Sequence, residues 1–319
     1  MFIIFITMIF LILGGMTSCS PDSARDGGTR TDAGNGDGGE EDAGNEDAGC
    51  FPKCIGKKCG EDDGCGGLCG ECPPTEMLEV PAGIFWMGCN PSDKECLNNG
   101  NEKPYHPVNV PTFKIDKFEV ITDDYKKCVI ALACSYPGID KGCNFNVAGM
   151  EKHPINCVNW TQAYMFCDWT KRRLPSEAEW EKAARGTDGG IFPWTGSTVS
   201  CDFTVMNDTE AGGPGCGSGS TLQGGSRPDG GSPYGVMDMI GNVFEWVEDN
   251  WHDSYKGAPD GGEAWIDDAG SDADGGSRIL RGGSWEVGYK PWLRTSYRTH
   301  QIPNIKSPSY GFRCAVTPE

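Results

Sequence analysis

Histidine is scarce. The four residues, His106, His153, His252 and His300, stand apart, with no HxxxH or HxxE spacing. Clustered imidazoles are the usual scaffold of zinc and related sites, so a transition-metal centre built on histidine is excluded. There is no GxSxG elbow and no glycine loop of the phosphate-cradling kind. Positive charge is also short: 27 Lys and Arg against 46 Asp and Glu leave a net charge of −19, which argues against nucleic acid as a partner. Long apolar runs are absent beyond Phe2–Gly14. That run falls short of the ~20 residues a transmembrane helix takes and reads as the core of a signal peptide, although no Lys or Arg precedes it. With 37% hydrophobic residues, 47 Gly and 21 Pro, the chain predicts one large, loop-rich domain with little helix, plus appendages.

Cysteine is plentiful. Seventeen in one chain is the usage of an exported, disulfide-bonded protein. Met16-Thr17-Ser18-Cys19 is similar to a bacterial lipobox, which makes residues 1–19 a lipoprotein signal peptide and Cys19 the lipidation site. A lipid anchor would hold the chain at the bacterial cell envelope, and Ser20 in the next position suits the outer membrane. An ordinary disulfide role for Cys19 is the alternative, but it is the odd cysteine, and the other sixteen can pair. Residues 20–49 carry nine acids, two bases and no aromatic; such a segment cannot bury a core and reads as a disordered acidic tether. Residues 259–276, with six acids and no base, read as a solvated loop.

Residues 50–74 form a Cys-rich module, with six cysteines between Cys50 and Cys72. So short a segment needs staples. Three disulfides, in any of fifteen pairings, are expected, with zinc on Cys65, Cys69 and Cys72 as the lesser alternative. A rigid stalk is the simplest role. The main domain, 75–319, opens with alternating residues around Pro81-Ala82-Gly83, which predict an entry hairpin over Met77–Gly88. Cys89 and Cys96 close a short loop. Phe113–Glu119 alternates as a strand, and Thr122 caps a helix with Tyr125, Val129 and Leu132 at helical spacing. Cys128, Cys134, Cys143 and Cys157 are expected to pair among themselves, and Cys201 with Cys216. Trp160–Thr170 reads as a second helix. Ser176-Glu177-Ala178-Glu179 is a capping box, ended by Gly186, with Trp180, Ala183 and Ala184 as its inner stripe. Glu177 and Glu179 are therefore read as first-turn acids, not a catalytic pair. Arg278–Trp285 and Tyr310–Val316 read as late strands.

The chain is organised around SPYGVMDMIGNVFEW, Ser232–Trp246. Asp238 and Glu245 are carboxylates seven residues apart across a turn at Gly241, a plausible oxygen cage for a hard cation; capping and solvating a loop is the plainer alternative. DMIGNVFEW, preceded by KRRLPSEAEWEKAARG and followed by RGGSW and GFRCA, resembles the formylglycine-generating enzyme, or sulfatase-modifying factor, family over roughly Met77–Val316. The resemblance implies an α+β, C-type-lectin-like fold with structural calcium. It implies a Ca2+ site from the side chains of Asp238 and Glu245 and the carbonyls of Gly241 and Val243. It also implies a disulfide between Cys167 and Cys314, closing a very long loop. The family's second calcium site would fall around Cys201–Gly219, where the sequence has diverged too far to carry residues over.

At one place the chain departs from the family. Oxidase members convert a substrate cysteine to formylglycine with two thiols and copper. Counted from Gly282-Gly283-Ser284, those thiol positions fall on Val287 and Trp292, and only Ser284 of the cluster is retained. Neither side chain is a nucleophile or a soft ligand for cuprous copper, so no copper is expected. Relatives that act as sulfoxide synthases draw iron ligands from a helical domain this chain does not contain. The expectation is a lipid-anchored envelope protein without formylglycine-generating activity, binding a protein, peptide or glycan or serving a structural role. The alternative is an enzyme with different, metal-dependent oxidative chemistry in the same groove. A third reading places binding specificity in the 50–72 module.

Overall fold

The computed structural model describes residues 53–96, 100–196, 198–267 and 276–318. These belong to one compact unit that spans 49–319. The expected signal peptide with Cys19, the expected tether over 20–49 and Cys50 lie outside the described residues. No helix of the described residues is long and apolar enough to cross a membrane.

Among the described residues, nine short strands and three α-helices are spread through loops. The strands are β1 (Met77–Val80), β2 (Gly83–Met87), β3 (His106–Val110), β4 (Phe113–Asp116), β5 (Phe244–Asn250), β6 (Arg278–Arg281), β7 (Arg298–Gln301), β8 (Tyr310–Phe312) and β9 (Ala315–Val316). The helices are α1 (Thr122–Ile130), α2 (Trp160–Trp169) and α3 (Glu177–Arg185). The strands make three sheets, ordered β1-β4-β9, β2-β3 and β7-β6-β5-β8. The β5–β8 pairing is parallel, Glu245 facing Gly311, and the other pairings are antiparallel. This mixture of few helices and many loops is the α+β architecture that the sequence implies.

Several local expectations change. Met77–Gly88 is not a hairpin: β1 pairs with β4 and β2 with β3. Pro81-Ala82 steers the chain from one sheet to another, a choice that strand alternation does not encode. The closing strand is two strands, because Arg313 turns its side chain into the core while β8 joins β5 and β9 joins β4. The N-cap of α1 is Ile121, without a side-chain cap, and Thr122 instead donates to the His153 carbonyl at 3.2 Å. In α2 the Asn159–Gln162 capping box sets the start. Its Ala163, Phe166 and Cys167 are buried, whereas Tyr164 faces outward.

Trp169, Trp180 and Trp246 are fully buried near the centre; each such side chain stabilises the fold by roughly 3 kcal/mol through area removed from water. Disulfides Cys89–Cys96, Cys128–Cys134, Cys143–Cys157, Cys201–Cys216 and Cys167–Cys314 consume all ten cysteines of the main domain. In the Cys-rich module Cys54 pairs with Cys69 and Cys59 with Cys72, and Cys65 is also disulfide-bonded. Zinc on Cys65, Cys69 and Cys72 is thereby overturned, since disulfide sulfurs have no thiolate to offer. The module is also not a free stalk. The Cys59 N–H donates to the Trp169 carbonyl at 2.9 Å, Lys58 pairs with Asp168, and Gly70 packs on Trp169.

Candidate functional site

Helix α3 holds the interior together. Ser176 Oγ accepts from the Glu179 N–H at 3.1 Å and Glu179 returns the bond to the Ser176 N–H at 2.9 Å. The capping box is formed as the sequence suggests. All nine helical residues are buried, not only the apolar stripe. The charged ones are paired. Glu177 receives Arg281 at 2.6 Å and Arg298 at 2.7 Å. Glu181 receives Arg281 at 2.7 Å and Arg185 at 2.6 Å. Lys182 donates to the carbonyls of Pro81 and Gly83. Glu177 is thus a structural anchor joining α3 to β6 and β7.

The Ser232–Trp246 stretch packs against this framework. Asp238 and Asn242 take left-handed backbone angles (φ 58° and 57°), as does Gly241 (φ 81°). Gly241 has no alternative: a Cβ there would lie 2.1 Å from Thr204 Oγ1 and 2.5 Å from the Val205 carbonyl. Glu245 has a partner that the sequence reading did not assign. Arg313 binds it through two bonds of 2.6 and 2.7 Å, and Trp180 Nε1 donates at 2.8 Å. Asp238 Oδ2 accepts the Gly225 N–H at 2.6 Å. A third acid, Glu119, stands beside them. It is buried, and both of its carboxylate oxygens lack a hydrogen-bond partner. Burial, reinforced by Asp238, pushes the Glu119 carboxyl well above its usual range. Burial likewise pushes Asp238 up to about 6, against the opposing Gly225 hydrogen bond and Arg313.

Three carboxylates against two guanidiniums, Arg313 and Arg227, leave one negative charge in excess when all are ionised, which a hard cation would compensate. The donors at the turn fit such an ion in kind: carboxylate oxygen from Asp238 and Glu245 and backbone oxygen from Gly241 and Val243. Glu119 is the additional acid that the sequence gave no reason to place here. Among the described residues, one cluster brings three side-chain ligand atoms within 4.8 Å of one another, and it lies elsewhere: Cys89, Asp93 and Cys96.

Beyond β6 the chain passes through Gly282 and Gly283 (φ 92° and 80°) into the segment that holds Ser284, Val287 and Trp292. Ser284 is buried, and its Oγ accepts the Glu286 N–H, the turn role expected of it. Val287 is 8% exposed and its carbonyl accepts the Asn207 N–H at 3.0 Å. Trp292 is 41% exposed, stacked on Tyr297 at 5.7 Å and met edge-on by Tyr289. Next to this segment, Ile191, Phe192, Val199, Lys290 and Arg294 line a cavity of 720 Å3. Phe192, Trp194 and Phe203 stack in series behind it at 5.2 and 5.1 Å. These aromatics are the part of the site that sequence patterning passed over, because they come from an irregular region without period. The disulfide that resemblance alone implied, Cys167–Cys314, is formed and ties α2 to the end of the chain.

Comparison with known proteins gives the family and the fold. Residues 69–318 match the sulfatase-modifying factor enzyme 1-like domain. The chain is 31% identical over 291 residues to the formylglycine-generating enzyme of Streptomyces coelicolor, covering 75% of this chain and 88% of that enzyme. It is 26% identical over 290 residues to the formylglycine-generating enzyme of Bos taurus, covering 76% and 75%. Among solved structures, PvdO from Pseudomonas aeruginosa superposes with a TM-score of 0.65 at 27% identity, covering 76% of this chain and 95% of that one. With the fold, the Asp238–Glu245 turn and the Cys167–Cys314 bond in their places, the chain belongs to the sulfatase-modifying factor enzyme 1-like family.

Proposed function

We propose that this family member does not generate formylglycine and acts as a binding module of the bacterial cell envelope. One observation carries the reading: the two positions matching the oxidase thiols are Val287, buried against Asn207, and Trp292, stacked on Tyr297. A hydrocarbon and an indole supply neither a thiolate nor a ligand for copper. The groove keeps features of a recognition surface. Exposed Tyr289 and Trp292 flank Lys290 at a large cavity whose lining joins apolar Ile191, Phe192 and Val199 to charged Asp93, Lys94, Glu95, Lys290 and Arg294, a mixed surface that suits peptide or glycan contact. Lipidation at Cys19 would place this surface outside the membrane at the end of an acidic tether. Calcium, held by Asp238, Glu245 and the carbonyls of Gly241 and Val243, would neutralise the buried acids and fix the turn; its role is structural.

The test is a turnover assay. Purified protein spanning residues 20–319 is incubated with a sulfatase-derived cysteine peptide, cuprous copper and oxygen, and the peptide is analysed by mass spectrometry for aldehyde formation. No aldehyde is expected, while the same peptide or envelope glycans bind in a manner weakened by Trp292→Ala. Aldehyde formation would overturn the reading and put the oxidative alternative in first place.

A further inference from the structure

Beyond that groove, we propose that Cys89–Cys96 is an exchangeable disulfide that captures a thiol-bearing peptide covalently. The inference does not use Val287 or Trp292. Both cysteines line a second cavity, of 560 Å3, whose walls include Pro91, Lys103, Pro104 and Tyr105. Its two sulfurs differ in access. Cys96 is half-buried, whereas Cys89 is 3% exposed. A thiolate entering the cavity therefore meets Cys96 Sγ first, which leaves Cys89 as the leaving group.

Cys89 has a prepared neighbour. Arg294 Nη1 lies 3.8 Å from Cys89 Sγ with its N–H directed at the sulfur. That guanidinium cannot swing away, since it also binds Asp93 at 3.0 Å, Glu102 at 2.9 and 2.8 Å, Ser296 at 2.8 Å and the Pro291 carbonyl at 2.9 Å. Asp93 and Glu102 together outweigh its charge by one, so Arg294 acts on Cys89 through a directed N–H and not through a net positive field. Arg294 is a positioning residue for the departing sulfur. The bond also closes a short ring, with a separation of 7 residues against 147 for Cys167–Cys314. It removes less entropy from the unfolded chain and is the more dispensable for the fold.

The step balances without an outside oxidant. The peptide thiolate attacks Cys96 Sγ, a peptide–Cys96 disulfide forms, and the Cys89–Cys96 bond breaks. Its electron pair stays on Cys89 Sγ, which takes a proton from water. The peptide sulfur is oxidised to the disulfide level and Cys89 is reduced. Return attack by Cys89 releases the peptide, so capture is reversible.

The experiment uses the protein spanning residues 20–319 with excess of a cysteine-bearing peptide, quenched with acid at intervals, alkylated and mapped by mass spectrometry. The peptide is expected on Cys96 and the alkyl group on Cys89. Opening should be about tenfold or more faster than at Cys128–Cys134 and Cys201–Cys216, two reference bonds of sequence separation 6 and 15 in the same molecule. Arg294→Lys, which keeps charge but loses the fork, should slow the Cys89–Cys96 exchange and leave the two reference bonds unchanged. Equal rates at the three bonds, or the peptide found on Cys89, would overturn the proposal. If Arg294→Lys does not fold, the location of the adduct and the rate ratio in the unaltered protein still decide.

Discussion

Two substitutions seven residues apart separate an ion-binding role from an ion-pairing role at the Ser232–Trp246 turn. Glu245→Gln leaves Arg313 buried with half of its partner gone: one neutral amide oxygen replaces two charged ones, and the bonds of 2.6 and 2.7 Å cannot both survive. Breaking a fully buried pair in this way costs about 3–5 kcal/mol already in chelator, before any calcium is lost. Asp238→Asn is different. Asparagine tolerates the left-handed angle at this position and still offers an oxygen to the Gly225 N–H. In chelator it should unfold within about 1 kcal/mol of the parent, the scale of one hydrogen bond. Added calcium should then separate the two proteins. At a free concentration of about 100 times Kd, a site present only in the folded state adds about 2.7 kcal/mol, and Asp238→Asn should forfeit it. The assay is urea unfolding without reductant, in chelator and in calcium, read by tryptophan fluorescence. If the parent gains nothing from calcium, or Asp238→Asn loses as much stability in chelator as in calcium, the cation reading of this turn is wrong.

Removing Cys167 and Cys314 together as serines opens a loop with a separation of 147 residues and should cost about 5 kcal/mol by chain entropy, seen as a lower urea midpoint; a loss under about 2 kcal/mol would contradict it. Gly241→Ala should cost at least about 3 kcal/mol or prevent folding, since its Cβ would meet Thr204 Oγ1 and Val205 backbone at a left-handed φ; thermal melting checks this. Glu177→Gln should destabilise by about 3–5 kcal/mol, because Arg281 and Arg298 both lose their charged partner; retention of the parent midpoint would show that the network is not needed. Burial lowers the His153 pKa, with its bond to Thr221 and the nearby Glu151 opposing. A histidine depressed in the folded state contributes stability that is present above its unfolded value near 6.5 and is lost as pH falls through the folded one. His153→Gln should flatten the stability profile below pH 6.5, and an unchanged slope would reject the assignment.

Much of the site was legible because it rests on local signals. The α3 capping box is a four-residue pattern, and the left-handed Gly241 sits in a turn that sequence marks with glycine. The short disulfides join neighbours in a chain whose cysteine count already demanded pairing. Val287 and Trp292 are substitutions at positions that the adjacent Gly282-Gly283-Ser284 fixes by counting. What sequence left out is what distance joins. Arg313 is 68 residues from Glu245, and Arg294 is 192 from Glu102. Glu119 is an unremarkable strand-end acid until folding strands it beside Asp238.

The amino-acid sequence by itself determined the family, the capped start of α3, the stapled character of the domain and the absence of cysteine at positions 287 and 292. These follow from residue identity and short spacing, which survive without coordinates. Tertiary structure alone decided which strands share a sheet, which arginine neutralises which buried acid and that the Cys-rich module rests on α2. A strand's alternation tells which face is buried but not its neighbour, and a charge in the sequence does not name the partner that will follow it out of water.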